Sequence, residues 1–169
     1  MSNVSDYGSI VDSTDVVLDS GDLTASSALF FNHIRIALEA RLDQLDDLDN
    51  VAYENVEIDL STLNKGTAGI EFVQAFILPQ ATETLSLSPT GRDIHEGIFQ
   101  INYYNEVGIG SYSTKLDYIA NAFKRGTDLS YGGTTVTVRN VSLGVGRRED
   151  AFFVRNIDVS YYAVTPARS

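Results

Sequence analysis

Apolar residues recur at three- and four-residue steps in two parts of this chain and alternate with polar ones in several others. Phe30, Ile34, Ala37, Leu38, Leu42 and Leu45 make one stripe, which predicts a helix over about 24–45. Thr24, Ser26 or Ser27 is suited to cap its start. Asp43, Asp46, Asp47 and Asp49 crowd its far end, where negative charge opposes the helix dipole, so the helix should stop there. Leu116, Ile119, Ala120 and Phe123 form a second stripe. It predicts a helix opened by Ser111 or Ser113 and closed by Lys124-Arg125-Gly126, with Gly126 at the residue after the end.

The alternating stretches predict strands. Ala68 to Leu78 is apolar on both faces, as in a central strand, and Pro79 ends it. In Asp93 to Tyr104, Phe99, Ile101 and Tyr103 alternate with Gln100, Asn102 and Tyr104. Leu129–Tyr131 and Thr134–Val138 flank Gly132-Gly133, a hairpin signal. Ala151 to Val164 is a long final strand with Phe153, Ile157, Val159 and Tyr161 on one face. Arg155 interrupts that face, which predicts a bulge or an interfacial position. Ala52 to Leu60 reads as extended, Asn64-Lys65-Gly66 as a turn, residues 80–92 as a protruding polar loop and Ser142 to Arg148 as a Gly-punctuated loop. The sum is an α+β fold: a mixed, mainly antiparallel sheet with two main helices packed on it, plus an extended N-terminal arm. Residues 1–24 form the arm and 25–169 a single domain.

Composition narrows the class. A chain of 169 residues, 43% hydrophobic and 21% charged, can bury a real core. It has no cysteine, which excludes disulfides and thiolate metal sites. Its apolar runs are too short for a membrane helix or a secretory core, so a soluble protein without a membrane partner is expected. The net charge of −11 is lopsided. Residues 1–64 hold 13 acidic and 2 basic side chains, whereas residues 65–169 hold 10 of each. Such acidity disfavours general nucleic-acid binding. It serves solubility, and it suits a surface past which DNA must move without sticking. Within the arm, Val4, Ile10 and Val16 to Leu18 are apolar beads in a Ser/Asp-rich background. They are expected to pack against a neighbouring subunit.

No residue set points to catalysis. His33 and His95 lack partners at metal-ligand spacing. Asp43 to Asp49 lacks the glycine and distal glutamate of a calcium loop. Gly108-Ile109-Gly110 follows a strand and opens a helix, but Ser113 stands where a dinucleotide fingerprint needs glycine. Glu71, Glu96 and Asp158 lie on predicted strands with nothing to fix their separation. No Gly-x-Ser-x-Gly elbow occurs. Arg147-Arg148-Glu149-Asp150 reads as a solvated mixed-charge turn or an intersubunit ion-pair site. Tyr103, Tyr104, Tyr112, Tyr118, Tyr131, Tyr161 and Tyr162 gather in the later two thirds. Half of them suit sheet packing and the rest suit protein contacts.

In order, the chain carries a first helix, Ala52-Tyr53-Glu54-Asn55, a strand ending Phe76-Ile77-Leu78-Pro79, the strand from Gly97 to Tyr104, the Gly108/Gly110 turn, a helix and a closing Phe123-x-x-Gly126. Over roughly residues 26–165 this order resembles the tail terminator proteins of long-tailed bacteriophages, with Tyr53 where tryptophan is common. The acidic arm departs from that pattern. The resemblance implies a virion protein of the tail and neck, assembled in the host cytoplasm. It would form a homohexameric ring that caps the tail tube at its head-proximal end, joins it to the neck and lets DNA through its lumen. It implies no enzyme, cofactor or metal. Competing readings are another neck or head–tail completion subunit, a tail tube subunit, a small hydrolase and a ligand-binding module. Contacts are expected at protruding segments: Val4, Ile10, Val16 and Leu18 in the arm, Pro79, Ser88 and Arg92, then Glu106, Ile109 and Tyr112, and finally Arg147 and Arg148.

Overall fold

A computed structural model describes residues 29–46, 48, 50–63, 69–85, 91–107 and 112–166. The expected arm, the caps Thr24, Ser26 and Ser27, the Asn64–Gly66 turn and the Gly108–Gly110 turn lie outside them. The described residues form two helices and a mixed eight-stranded sheet, antiparallel except at one pair. In chain order the elements are α1 (Phe30–Asp43), β1 (Val51–Tyr53), β2 (Glu71–Pro79), β3 (Glu83–Thr84) and β4 (Arg92–Glu106). Next come α2 (Tyr112–Ala122), β5 (Asp128–Tyr131), β6 (Thr134–Leu143), β7 (Arg147–Glu149) and β8 (Phe152–Pro166).

The sheet is built on β4 and β8. Each is 15 residues long, and they pair without a register break from Arg92↔Pro166 to Glu106↔Phe152. At about 3.3 Å per residue such a pair spans roughly 50 Å. Their outer neighbours are shorter and come in two pieces. β2 and then β3 line the free side of β4, while β6 and then β7 line the free side of β8. β1 adds in parallel to β2, and β5 closes the other edge, giving the order β1-β2-β4-β8-β6-β5.

Alternation decides which face is buried. Phe99, Ile101 and Tyr103 of β4 and Ile157, Val159, Tyr161 and Ala163 of β8 point to one face and meet both helices. From α1 come Ile34, Ala37, Leu38 and Leu42, and from α2 come Leu116 and Ile119, with Phe123 just beyond its end. The Phe123 ring lies 5.8 Å from that of Phe99. On the opposite face Phe72 stacks on Tyr104 at 4.3 Å, with Phe152 edge-on to both. Gly97 sits where a Cβ would stand 2.5 Å from the Tyr161 hydroxyl, so only glycine lets these strands pack. Gly132 and Gly133 both have positive φ, 56° and 81°, as a two-residue hairpin turn requires.

Several expectations need correction. α1 starts at Phe30, and Leu29 precedes it with φ −111° and no side-chain cap. Aromatic packing holds that end instead: the Phe30 and Phe31 rings lie 4.6 and 5.2 Å from His95. The extended segment expected over 52–60 is only three residues long, because Asn55 takes φ 65° in a turn. α2 ends at Ala122, so Gly126 (φ 81°) is not its closing residue. Its N–H bonds Val138 O in the turn into β5. Ala122, not Ala120, is the buried alanine of that helix. β6 runs to Leu143, and Arg147–Glu149 is a strand where loop was expected. No bulge occurs at Arg155, which pairs with Tyr103 in register and donates from Nε to Gly144 O at 3.0 Å. Phe153 is half-buried, and Val154 is buried on the other face beside Tyr104.

Because Phe99 is fully buried between α2 and both central strands, Phe99→Ala is expected to cost about 3–5 kcal/mol of stability. Urea unfolding followed by circular dichroism measures it.

Candidate functional site

The described contact candidates fall toward the two ends of the β4–β8 pair, except Pro79, which lies between them. At one end Arg92 opens β4, exposed, opposite Pro166, and five residues further along β4 Pro79 closes β2, exposed, opposite Gly97. At the other end Glu106 closes β4 opposite Phe152 and accepts the Ile70 N–H on Oε2 at 3.1 Å. Tyr112 opens α2. Arg147 and Arg148 sit exposed on β7, paired with Val154 and Phe153. Val4, Ile10, Val16, Leu18, Ser88 and Ile109 lie outside the described residues.

Exposed apolar side chains mark both ends. Leu85 and Val164 lie at the Arg92 end, Val107 lies at the Glu106 end, and Leu78, opposite Ile98, lies between them. Val145, between β6 and β7, is 88% exposed. Sequence alone did not single these five out. A lone valine in a glycine-bracketed loop carries no periodic signal, and whether Leu78 faces in or out depends on register.

Several charged groups are already engaged. Arg147 Nε meets Glu149 Oε1 at 2.7 Å, and Arg148 Nε reaches Asp150 O at 3.3 Å, so this turn is tied within itself. Of the three carboxylates considered for catalysis, Glu96 holds Arg139 at 2.5 Å. Asp158 accepts from Gln100 at 3.2 Å and from Asn156 at 3.1 Å. Glu71 accepts the Tyr103 hydroxyl at 2.6 Å on one oxygen and the Lys115 ammonium on the other. That clamp joins β2, β4 and α2. His95 is buried, with Nδ1 3.1 Å from the Thr82 hydroxyl and Nε2 2.9 Å from that of Thr165. It ties the segment before β3 to β8. His33 is partly buried, edge-on to Tyr131 at 5.7 Å.

Acidic groups gather beside β1. The Tyr53 hydroxyl donates to Glu39 O at 3.1 Å and also to Asp43 Oδ1, which anchors β1 to α1. Burial, then the Asp43 carboxylate and after it that of Glu39, push this phenol far above its ordinary range. Burial raises the Glu39 carboxyl; Arg35 opposes this, while Asp43 and Glu54 reinforce it. Among the described residues no three His, Cys, Asp or Glu side chains are placed to hold a metal ion. No described helix is long and apolar enough to cross a membrane. A groove of about 340 Å³ between α1 and β5 is lined by Ala37, Ala40, Arg41, Gln44 and residues 127–131. Another of about 390 Å³ lies against Arg92, Val164 and Pro166.

Buried tyrosines make the fold sensitive to alkali. Burial pushes the Tyr161 phenol up to about 12, from 10.0 in a free side chain. Below pH 10 the phenol is neutral whether folded or unfolded, and its contribution to stability is intact. Between 10 and about 12 only the unfolded chain ionises it, so stability falls as pH rises through that window. Urea midpoints measured across pH 10 are expected to drop, and Tyr161→Phe is expected to make the drop shallower.

A family model for the phage tail terminator protein matches residues 33–161. No curated protein matches the chain. One solved structure, whose name states no function, aligns with a TM-score of 0.59 at 26% identity, over 80% of this chain and 96% of that one.

Proposed function

This chain belongs to the phage tail terminator family, and from that premise we propose that it closes into a hexameric ring at the head-proximal end of the tail tube and joins the tube to the neck. Membership makes it a structural, non-enzymatic protein of the virion tail and implies association with the tail tube. The observation that carries the finer reading is the placement of contact candidates. Pro79 and exposed Leu78 lie partway along the central strands, and Arg92, with exposed Leu85 and Val164, stands at one end. Glu106, Arg147 and Arg148, with exposed Val107, stand roughly 50 Å away at the other. A subunit that links two different partners needs two such separated surfaces.

Ring closure is the physical reason a terminator terminates. Heterologous contacts that close give a finite object, and those that do not close continue indefinitely. One end of the subunit matches the last layer of tube and the other does not repeat that match, so no further layer adds. The lumen passes DNA without specific binding. Acidic groups such as Asp43, Asp46, Glu54, Glu57 and Asp59, clustered around β1 and the end of α1, would repel phosphate there. Assembly takes place in the host cytoplasm.

The test is tube length. Tail tube subunits polymerised alone are expected to grow without limit, and addition of this protein is expected to stop growth and leave a ring on one tip in electron micrographs. Tubes that lengthen equally with and without it would refute the assignment.

A further inference from the structure

The outer side of β5, a four-residue edge strand, has no strand paired to it among the described residues. β5 is the last strand of its edge. Thr127 O accepts the Val138 N–H at 2.9 Å, and Leu129 and Tyr131 pair opposite Val136 and Thr134. Alternation in an antiparallel pair therefore turns the backbone groups of Asp128 and Ser130 away from β6. Both residues are exposed. That edge forms one wall of the α1/β5 groove, where Ala37, Ala40 and Leu129 supply small apolar surface. A bare edge of this kind is a template for an added strand.

The groove also carries unspent positive charge. Arg41 donates from Nε to Ala122 O at 3.1 Å and from Nη1 to Gln44 Oε1 at 3.3 Å, and both acceptors are neutral. Among the described residues no carboxylate forms an ion pair with it. Lys124 and Arg125 follow Ala122 and are exposed. The acid in the lining, Asp128, accepts the Thr137 hydroxyl at 2.6 Å.

One segment of this chain has the complementary chemistry. Residues 1–28 contain five aspartates and no lysine or arginine. Within them Val16 and Leu18 stand two residues apart, between Asp15 and Asp19. In an added strand two such apolar side chains share one face, and the flanking carboxylates come within reach of a groove cation. We infer that the α1/β5 groove receives the segment around Val16–Leu18 of the neighbouring copy, added as a strand on β5 with its aspartates against Arg41. The inference rests on the ring reading. An arm that leaves one subunit at Leu29 and pairs with the next is a heterologous contact that repeats around a closed ring.

The absence of cysteine makes a clean test. Ser130→Cys is combined in turn with Val16→Cys, Val17→Cys and Leu18→Cys in the full-length chain, assembled and mildly oxidised. At least one pair is expected to give a disulfide-linked ladder of chains on non-reducing gels, and Arg41→Glu is expected to weaken it several-fold. Asp15→Lys with Asp19→Lys, placed on the Arg41→Glu background, is expected to restore it. Rings that assemble yet give no interchain link at any of the three positions would overturn the arm site and leave the ring reading standing. Links formed only within a chain would overturn it too. Failure to assemble at all, in the cysteine-free wild type, would overturn both.

Discussion

Everything in this fold depends on the unbroken pairing of β4 with β8. Fifteen residues on each strand stay in register, so inward and outward positions are fixed along the whole pair. A slip of β4 by one residue against β8 would turn Phe99, Ile101 and Tyr103 to the face without helices and expose the core. Both helices lie on the face that this register defines. The Glu71 clamp on Tyr103 and Lys115 and the His95 bonds to Thr82 and Thr165 then fasten the flanking pieces to β4 near its two ends. The outer strands can be short and interrupted because the central pair carries the register for them.

That arrangement suits a part made to join others. The central pair is stiff and long, and its ends are separated by the length of the strands. Side chains that could do chemistry are occupied in holding elements together: Glu71, Glu96 and Asp158 each have partners across strands or helices. What remains unspent lies at the surface, as exposed apolar side chains at the strand ends, a bare sheet edge and an acidic corner. These are resources for contact, consistent with the structural role of the tail terminator family.

Much of this was legible in the sequence because it is periodic. The stripe Phe30, Ile34, Ala37, Leu38, Leu42 is buried as its spacing demands, and so is the alternation Phe99, Ile101, Tyr103. Gly132-Gly133 specified its hairpin through backbone conformation alone. The misses are non-periodic or non-local. The extended segment expected over 52–60 is cut to three residues, whose place is set by a parallel pairing with β2 and the Tyr53 anchor on α1, neither of which leaves a local pattern. β7 is a charged three-residue strand, held because β8 extends past the end of β6. At the start of α1 the Phe30 and Phe31 rings find His95, sixty-odd residues away in the chain, a contact that leaves no local pattern. At the contact surface, the loops could be named from sequence, whereas the outward turn of Leu78 and Val164 required the sheet register.

The central claim is that copies of this chain join one another into a closed ring. Native mass spectrometry of the purified full-length protein tests it most directly. The account predicts a dominant species of six times the 18.5 kDa chain mass, seen as a ring with a DNA-wide opening in negative stain. A stable monomer at concentrations where the protein is folded, or a continuous series of open oligomers without a closed size, would contradict it.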